Sequence, residues 1–304
     1  MKTFLLLCLA SLLASSAFAN TNVRTWTLED GSSLYAELVN YDDEADRVHL
    51  RIREKEDAFR QLADFSPIDQ AWLVEWLEIG ERLNAKLEEI PGTYTHYNWQ
   101  GELGSYDFYV YEPSSVVGTS ARPLMILFSP GKNGRRFLLR HIDAAEATGM
   151  VIVTLDRFGN TRDVESWEAQ KHQFFELFPQ IERTVPHNPS RLFAGGTSGG
   201  ALQAFRKTWQ VARPWAGVYS NGGWLGPTDD LEPSYPALRV AVVNGNNDRA
   251  ANHYLPRDQK ILQDNGSTVS VISFEGAHQL PPPETMTKAW DWLLDQGNII
   301  EVDG

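Results

Sequence analysis

The first third of the chain alternates apolar and polar residues in short runs, at Thr25-Trp26-Thr27, at Leu34-Tyr35-Ala36-Glu37-Leu38-Val39 and at Val48-His49-Leu50-Arg51-Ile52. A period of two, interrupted by Asp30-Gly31 and by the acidic turn Asp42-Asp43-Glu44, predicts strands joined as hairpins. Ser66-Pro67-Ile68-Asp69 then supplies a helix cap, a proline at the first helical position and an acid in the first turn. Trp72, Leu73, Trp76 and Leu77 follow at helical spacing. Residues 20–80 therefore read as a small β-rich module closed by a helix, and residues 81–102, with the Pro91-Gly92 break, read as a connector.

Beyond it the rhythm changes. Strand-like runs occur at Tyr106–Tyr111, Leu124–Phe128, Met150–Leu155, Leu192–Ala194, Gly217–Tyr219, Leu238–Val243 and Val269–Phe274, several of them wholly apolar and too short for helices. Such runs suit strands buried on both faces of a parallel sheet. Helical patterns lie between them at Arg136–Thr148, Val164–Arg183, Ala201–Val211, Arg257–Asn265 and Glu284–Gln296. This β-α alternation predicts an α/β fold over residues 103–304: a doubly wound, mostly parallel sheet covered by helices on both sides.

The first 19 residues carry Lys2, an apolar run from Phe4 to Leu13 and Ala17-Phe18-Ala19, the three parts of a secretory signal. The expected mature chain begins at Asn20 and is exported, to the periplasm or outside the cell. Cys8, the single cysteine, lies in that segment, so disulfides, thiolate catalysis and cysteine metal sites are not expected of the mature protein. The 304 residues carry a net charge of −13, and residues 20–90 hold 17 acids against 8 bases. An acidic surface repels phosphate polymers, so a nucleic-acid partner is not expected. After residue 20 no apolar stretch reaches the ~20 residues a membrane span requires.

Arg191-Leu192-Phe193-Ala194-Gly195-Gly196-Thr197-Ser198-Gly199-Gly200-Ala201 carries the most chemical information. An apolar strand runs into Gly-x-Ser-x-Gly and then into a helix. In that context Ser198 sits on a tight turn with its hydroxyl exposed, and Gly196 and Gly200 let strand and helix approach. A serine hydroxyl needs a base to take its proton and a third group to orient that base. Asp248 follows the strand Leu238–Val243, and His278 follows Val269–Phe274, each on a loop where sites of parallel sheets collect. Asp229 and Asp230 are rivals for the acid and His253 for the base. The chain order Ser198, Asp248, His278 is that of an α/β-hydrolase triad.

An oxyanion needs preorganised donors: the Gly199 amide is one candidate, and Gly131 or Lys132, after the strand Leu124–Phe128, the other. Trp224, Phe158, Trp167 and Tyr254 fall on expected pocket loops at 156–166, 221–235 and 249–255, where their rings suit sugar or phenolic groups. Trp209, Trp215, Trp290 and Trp292 lie in or beside helical patterns and are expected in the core. No ligand spacing for a metal is present, and the chemistry calls for no cofactor.

On these motifs residues 103–300 resemble the α/β-hydrolases, and among them small secreted esterases of the feruloyl-esterase and polyhydroxyalkanoate-depolymerase type. The resemblance implies cleavage of a carboxylic ester, either a small molecule or one linked to a polysaccharide. Residues 22–79 resemble the SH3-like barrel of the SHD type, through Arg24-Thr25-Trp26-Thr27, Asp30-Gly31, Ala36-Glu37, Val48, Leu50, Leu62, Ser66 and Asp69-Gln70. That module implies a protein or envelope partner, or simply a packed barrel with an acidic surface. Two other readings fit the same residues: a peptidase of the prolyl-oligopeptidase kind, and a noncatalytic binding protein on a hydrolase fold.

Overall fold

The computed structural model describes residues 23–52, 56–116, 122–131, 133–159, 164–226 and 235–295. The expected signal segment, Lys132, Asp229 and Asp230 lie outside them. The chain divides into two compact units, with the boundary between Glu89 and Ile90.

In the first unit, strands β1 (Val23–Thr27), β2 (Ser33–Asp42), β3 (Arg47–Ile52) and β4 (Glu56–Arg60) form one antiparallel sheet in sequence order. Helix α1 (Pro67–Glu89) follows. Trp26 is fully buried, meets Phe65 and Trp72 edge-on at 5.5 and 5.3 Å, and donates from Nε1 to the Ala36 carbonyl. Asp69 Oδ2 accepts from the Thr27 amide (2.9 Å) and the Ser66 hydroxyl (3.0 Å), so the cap of α1 also ties the helix to β1. Trp26, Thr27, Ala36, Ser66 and Asp69 thus hold local structure together. What they build is a four-stranded antiparallel sheet with a helix.

The second unit is built on an eight-stranded sheet ordered β12-β11-β10-β9-β7-β8-β6-β5. Its strands are β5 (Thr93–Gln100), β6 (Ser105–Glu112), β7 (Leu124–Phe128), β8 (Val151–Leu155), β9 (Leu192–Thr197), β10 (Trp215–Asn221), β11 (Arg239–Gly245) and β12 (Thr268–Phe274). All neighbours pair in parallel except β6, which runs against both β5 and β8. Helices α2 (Gly134–Leu139), α3 (Ile142–Thr148), α4 (Val164–Thr184), α5 (Gly199–Gln210), α6 (Arg249–Asp264) and α7 (Pro283–Leu294) alternate with the strands. One face of the sheet buries Phe128, Val153 and Val218 with Phe174, Phe178 and Phe205 of α4 and α5. On the other, Tyr219 meets Trp290 of α7, and Trp290 stacks on His141 at the start of α3. Helices therefore cover both faces, as the alternation predicts.

Three expectations are corrected here. Residues 81–102 are no connector: α1 runs to Glu89, and Thr93–Gln100 form the edge strand β5, whose full pairing with β6 supplies the hydrogen bonds that a loop would leave open. The helix expected over Arg136–Thr148 is two, interrupted at Arg140-His141, where the backbone closes a turn through the His141 amide and the Leu138 carbonyl. Helix α6 begins at Arg249 rather than Arg257, because Asp248 caps it.

Candidate active site

Strand β9 ends at Thr197, and α5 begins at Gly199, so Ser198 alone makes the turn. Its backbone sits at φ 55°, ψ −122°, a conformation that L residues rarely adopt. A Cβ on Gly200 would strike the Phe128 carbonyl, and one on Gly196 would meet the same oxygen at 2.6 Å. Only glycines flanking the serine let β9 and α5 pass this close to β7. The Ser198 amide donates to the Asn221 carbonyl at 2.8 Å, which fixes the turn to the end of β10.

Asp248 is buried at the N-terminus of α6, where Oδ1 accepts from the Ala251 amide at 3.1 Å. Its other oxygen, Oδ2, lies 2.7 Å from His278 Nδ1. The acid is 2% exposed and the imidazole 38%, so a buried carboxylate anchors a ring that reaches solvent. With Nδ1 held by a carboxylate, Nε2 is the nitrogen that can exchange a proton.

Gly222 and Gly223 lie between this pair and the serine. A Cβ on Gly222 would stand 3.1 Å from Asp248 Oδ2 and 3.2 Å from His278 Nδ1, and one on Gly223 would stand 3.1 Å from the Ser198 carbonyl oxygen. The Asp248–His278 pair thus lies against Gly222, and the Ser198 turn against Asn221 and Gly223, at the carboxyl ends of strands β9 to β12. The order of the sheet reverses between β7 and β9, the position where ligands of open parallel sheets gather.

The other expected residues divide. Gly199 opens α5 directly after Ser198. The Gly131 amide instead donates to Ser129 Oγ at 3.2 Å, within its own turn, so it is not a free donor. Phe158 is fully buried against Phe128 and Phe174 at 6.4 and 5.9 Å, a core position and not a pocket wall. Trp167 belongs to α4 and Tyr254 to α6, so neither is on a loop. Trp224 and Tyr254 do come together, stacked at 5.2 Å, with the Arg257 guanidinium 4.9 Å over the Tyr254 ring. Both rings are half-buried. His253 lies on α6 and is exposed. Among the described residues no group of three His, Cys, Asp or Glu is arranged to hold a metal.

Two positions carry weight that sequence reasoning did not assign. Asn221, buried at the end of β10, donates from Nδ2 to the Gln279 carbonyl at 2.9 Å, beside His278. Asp156, at the end of β8, accepts from the Gly134 amide at 2.6 Å and from the Tyr109 hydroxyl at 3.0 Å, which fixes the start of α2. Burial pushes its carboxyl up to about 6. The only signal for either was a polar residue ending an apolar run.

No protein-family model and no curated protein matches the chain. Solved structures do. An S-formylglutathione hydrolase from Agrobacterium tumefaciens matches with a TM-score of 0.54 at 13% identity, covering 67% of this chain and 95% of its own. One from Staphylococcus aureus matches at 0.51 and 10% identity, over 67% and 97%. A fluorophosphonate-binding serine hydrolase of Staphylococcus aureus matches at 0.51 and 12% identity, over 67% and 99%. The shared architecture, with the large mostly parallel sheet and its helices on both faces, shows that the second unit has the α/β-hydrolase fold.

Proposed function

We propose that the protein is an exported serine hydrolase that cleaves a carboxylic ester through an acyl-enzyme. The observation that carries this reading is a histidine bonded through Nδ1 to a buried aspartate, at the same end of the sheet as a serine held at positive φ. Ser198 Oγ attacks the ester carbonyl carbon while its proton passes to His278 Nε2. Asp248 holds the ring in the required tautomer and stabilises the imidazolium that forms. The carbonyl oxygen becomes an oxyanion beside the Gly199 amide, one of the unsatisfied donors at the start of α5. The Gly131 amide is engaged by Ser129. The tetrahedral adduct collapses, the alcohol leaves with the proton from His278, and water repeats the sequence to release the acid.

The stacked Trp224 and Tyr254 form the wall offered to an aromatic or sugar portion of the ester, small or polysaccharide-linked. Export rests on the first 19 residues, and the antiparallel sheet of the first unit is read as an SH3-like module for a protein or envelope partner. The S-formylglutathione hydrolase and the fluorophosphonate-binding serine hydrolase among the structural neighbours support hydrolysis in general.

Hydrolysis of p-nitrophenyl acetate and butyrate by the parent and by Ser198→Ala tests the reading. Activity should fall by roughly 10⁴-fold or more in the variant. An inert parent that turns over peptides, or one that turns over neither class, would overturn it.

A further inference from the structure

Burying an amide side chain costs free energy unless its hydrogen bonds are met, so a fully buried asparagine at the end of an apolar strand calls for a reason. Asn221 is 0% exposed. Its main-chain carbonyl accepts from the Ser198 amide at 2.8 Å, and its side-chain Nδ2 donates to the Gln279 carbonyl at 2.9 Å. The next residue, Gly222, donates its amide to the Val243 carbonyl of β11 at 2.9 Å and sits at φ +56°, with the Asp248–His278 pair directly over it. One residue thus holds the serine turn with its backbone and the histidine loop with its side chain. The strand that carries it lies between the strands leading to the serine and to the aspartate.

We propose that Asn221 is a positioning residue that sets the height of the His278 ring over Ser198, through the Nδ2 bond to Gln279. This rests on the serine-hydrolase reading above for its effect on rate, though not for its effect on the ring. No other hydrogen bond described for the 275–281 loop reaches it from a side chain of β9 or β10, so removing the amide donor leaves the loop held from the β11 side, by the Asn247 amide and by Asp248, and takes away its side-chain tie to the strand that binds the Ser198 amide. The histidine then samples positions displaced from the attack geometry, and a displacement of about 1 Å is enough to lower a rate by roughly 100-fold.

Asn221→Asp keeps the size of the side chain and replaces the donor with an acceptor facing the Gln279 carbonyl; Asn221→Ser removes the reach. In each, the kcat and KM for p-nitrophenyl acetate, the rate at which a fluorophosphonate labels Ser198, and the downfield NMR resonance of the His278 Nδ1 proton are measured in the full chain. The expected result is a loss of kcat of roughly 100-fold at nearly unchanged KM, a parallel fall in labelling, and a broadened or shifted resonance, with the circular dichroism of the parent retained. Folded variants with kcat within twofold of the parent and an unmoved resonance would overturn the proposal, and so would collapse of both variants, which would assign Asn221 to the fold alone. If the parent itself neither hydrolyses the ester nor takes the label, the serine-hydrolase reading fails, and the resonance still decides whether Asn221 holds the ring.

Discussion

The two units of the chain bury polar side chains for different ends. In the first, the one buried charged or polar side chain among the described residues is Asp69, and its bonds go to Thr27 and Ser66, residues that shape the helix start and its attachment to β1. In the second, Thr197, Ser220, Asn221, Asn244 and Asp248 are all buried at the carboxyl ends of neighbouring strands. They come from three stretches separated in sequence, brought side by side because the sheet aligns β9, β10 and β11. A buried polar residue that serves its own turn says little about function, whereas several from separate strands at one end of the sheet mark a candidate site.

Ser198→Ala has the largest expected effect and bears on the second unit alone: hydrolysis is lost, and thermal unfolding of the chain is unchanged. Trp26→Ala is the converse and comes next. Trp26 fills the centre of the first unit, so its truncation costs about 3–5 kcal/mol, comparable to the stability of a module this small. Calorimetry of the full chain should lose the transition of the first unit, while p-nitrophenyl acetate turnover stays within about twofold of the parent. Loss of turnover would break the contrast, because it would give the first unit a part in catalysis.

The pH dependence of stability sharpens the same contrast. His141 is fully buried and lies against Phe137 and Trp290. Burial pushes its imidazole down to about 4, although the Nδ1 bond to the Phe137 carbonyl opposes this. The ordinary value in the unfolded chain is about 6.5, so between the two values the unfolded state binds more protons. The stabilisation present above pH 6.5 is therefore lost as pH falls toward 4, by about 3 kcal/mol. Urea unfolding of the second unit at pH 7 and pH 4.5 should show this fall in the parent and a much smaller one in His141→Gln. Equal slopes in the two proteins would remove His141 from the account.

What was legible in the sequence follows the same division. Strand β7 is a continuous apolar run and β8 is broken only by Thr154, so the parallel sheet was readable, and the order of Ser198, Asp248 and His278 after successive strands was enough to name them as candidates. Strand β5 was not, since Tyr94, His96 and Asn98 alternate with Thr95, Tyr97 and Trp99, and neither set is uniformly apolar or polar. It is recognisable only once β6 is there to pair with it. Phe158 was misplaced because nothing local distinguishes a ring at a pocket mouth from one turned onto Phe128 and Phe174. Asn221 acts through its position between two other strands, and a single sequence carries no mark of which strands will be neighbours.

The smallest expected effect isolates the strain at the serine itself. At φ 55°, ψ −122°, a residue with a Cβ is held in a conformation whose cost is on the order of 1–3 kcal/mol, and glycine adopts it without that penalty. Ser198→Ala keeps the Cβ and Ser198→Gly removes it, and both lack the hydroxyl, so their difference reports backbone strain and not the loss of a polar group. The glycine variant should be more stable than the alanine variant by about 1 kcal/mol in urea unfolding of the second unit, the gain reduced by the added freedom of glycine in the unfolded chain. Equal stabilities would mean that the surrounding contacts, the Ser198 amide bond to Asn221 above all, hold the turn without strain. A clear gain would place stored energy at the one residue proposed to attack, where stability and function pull against each other.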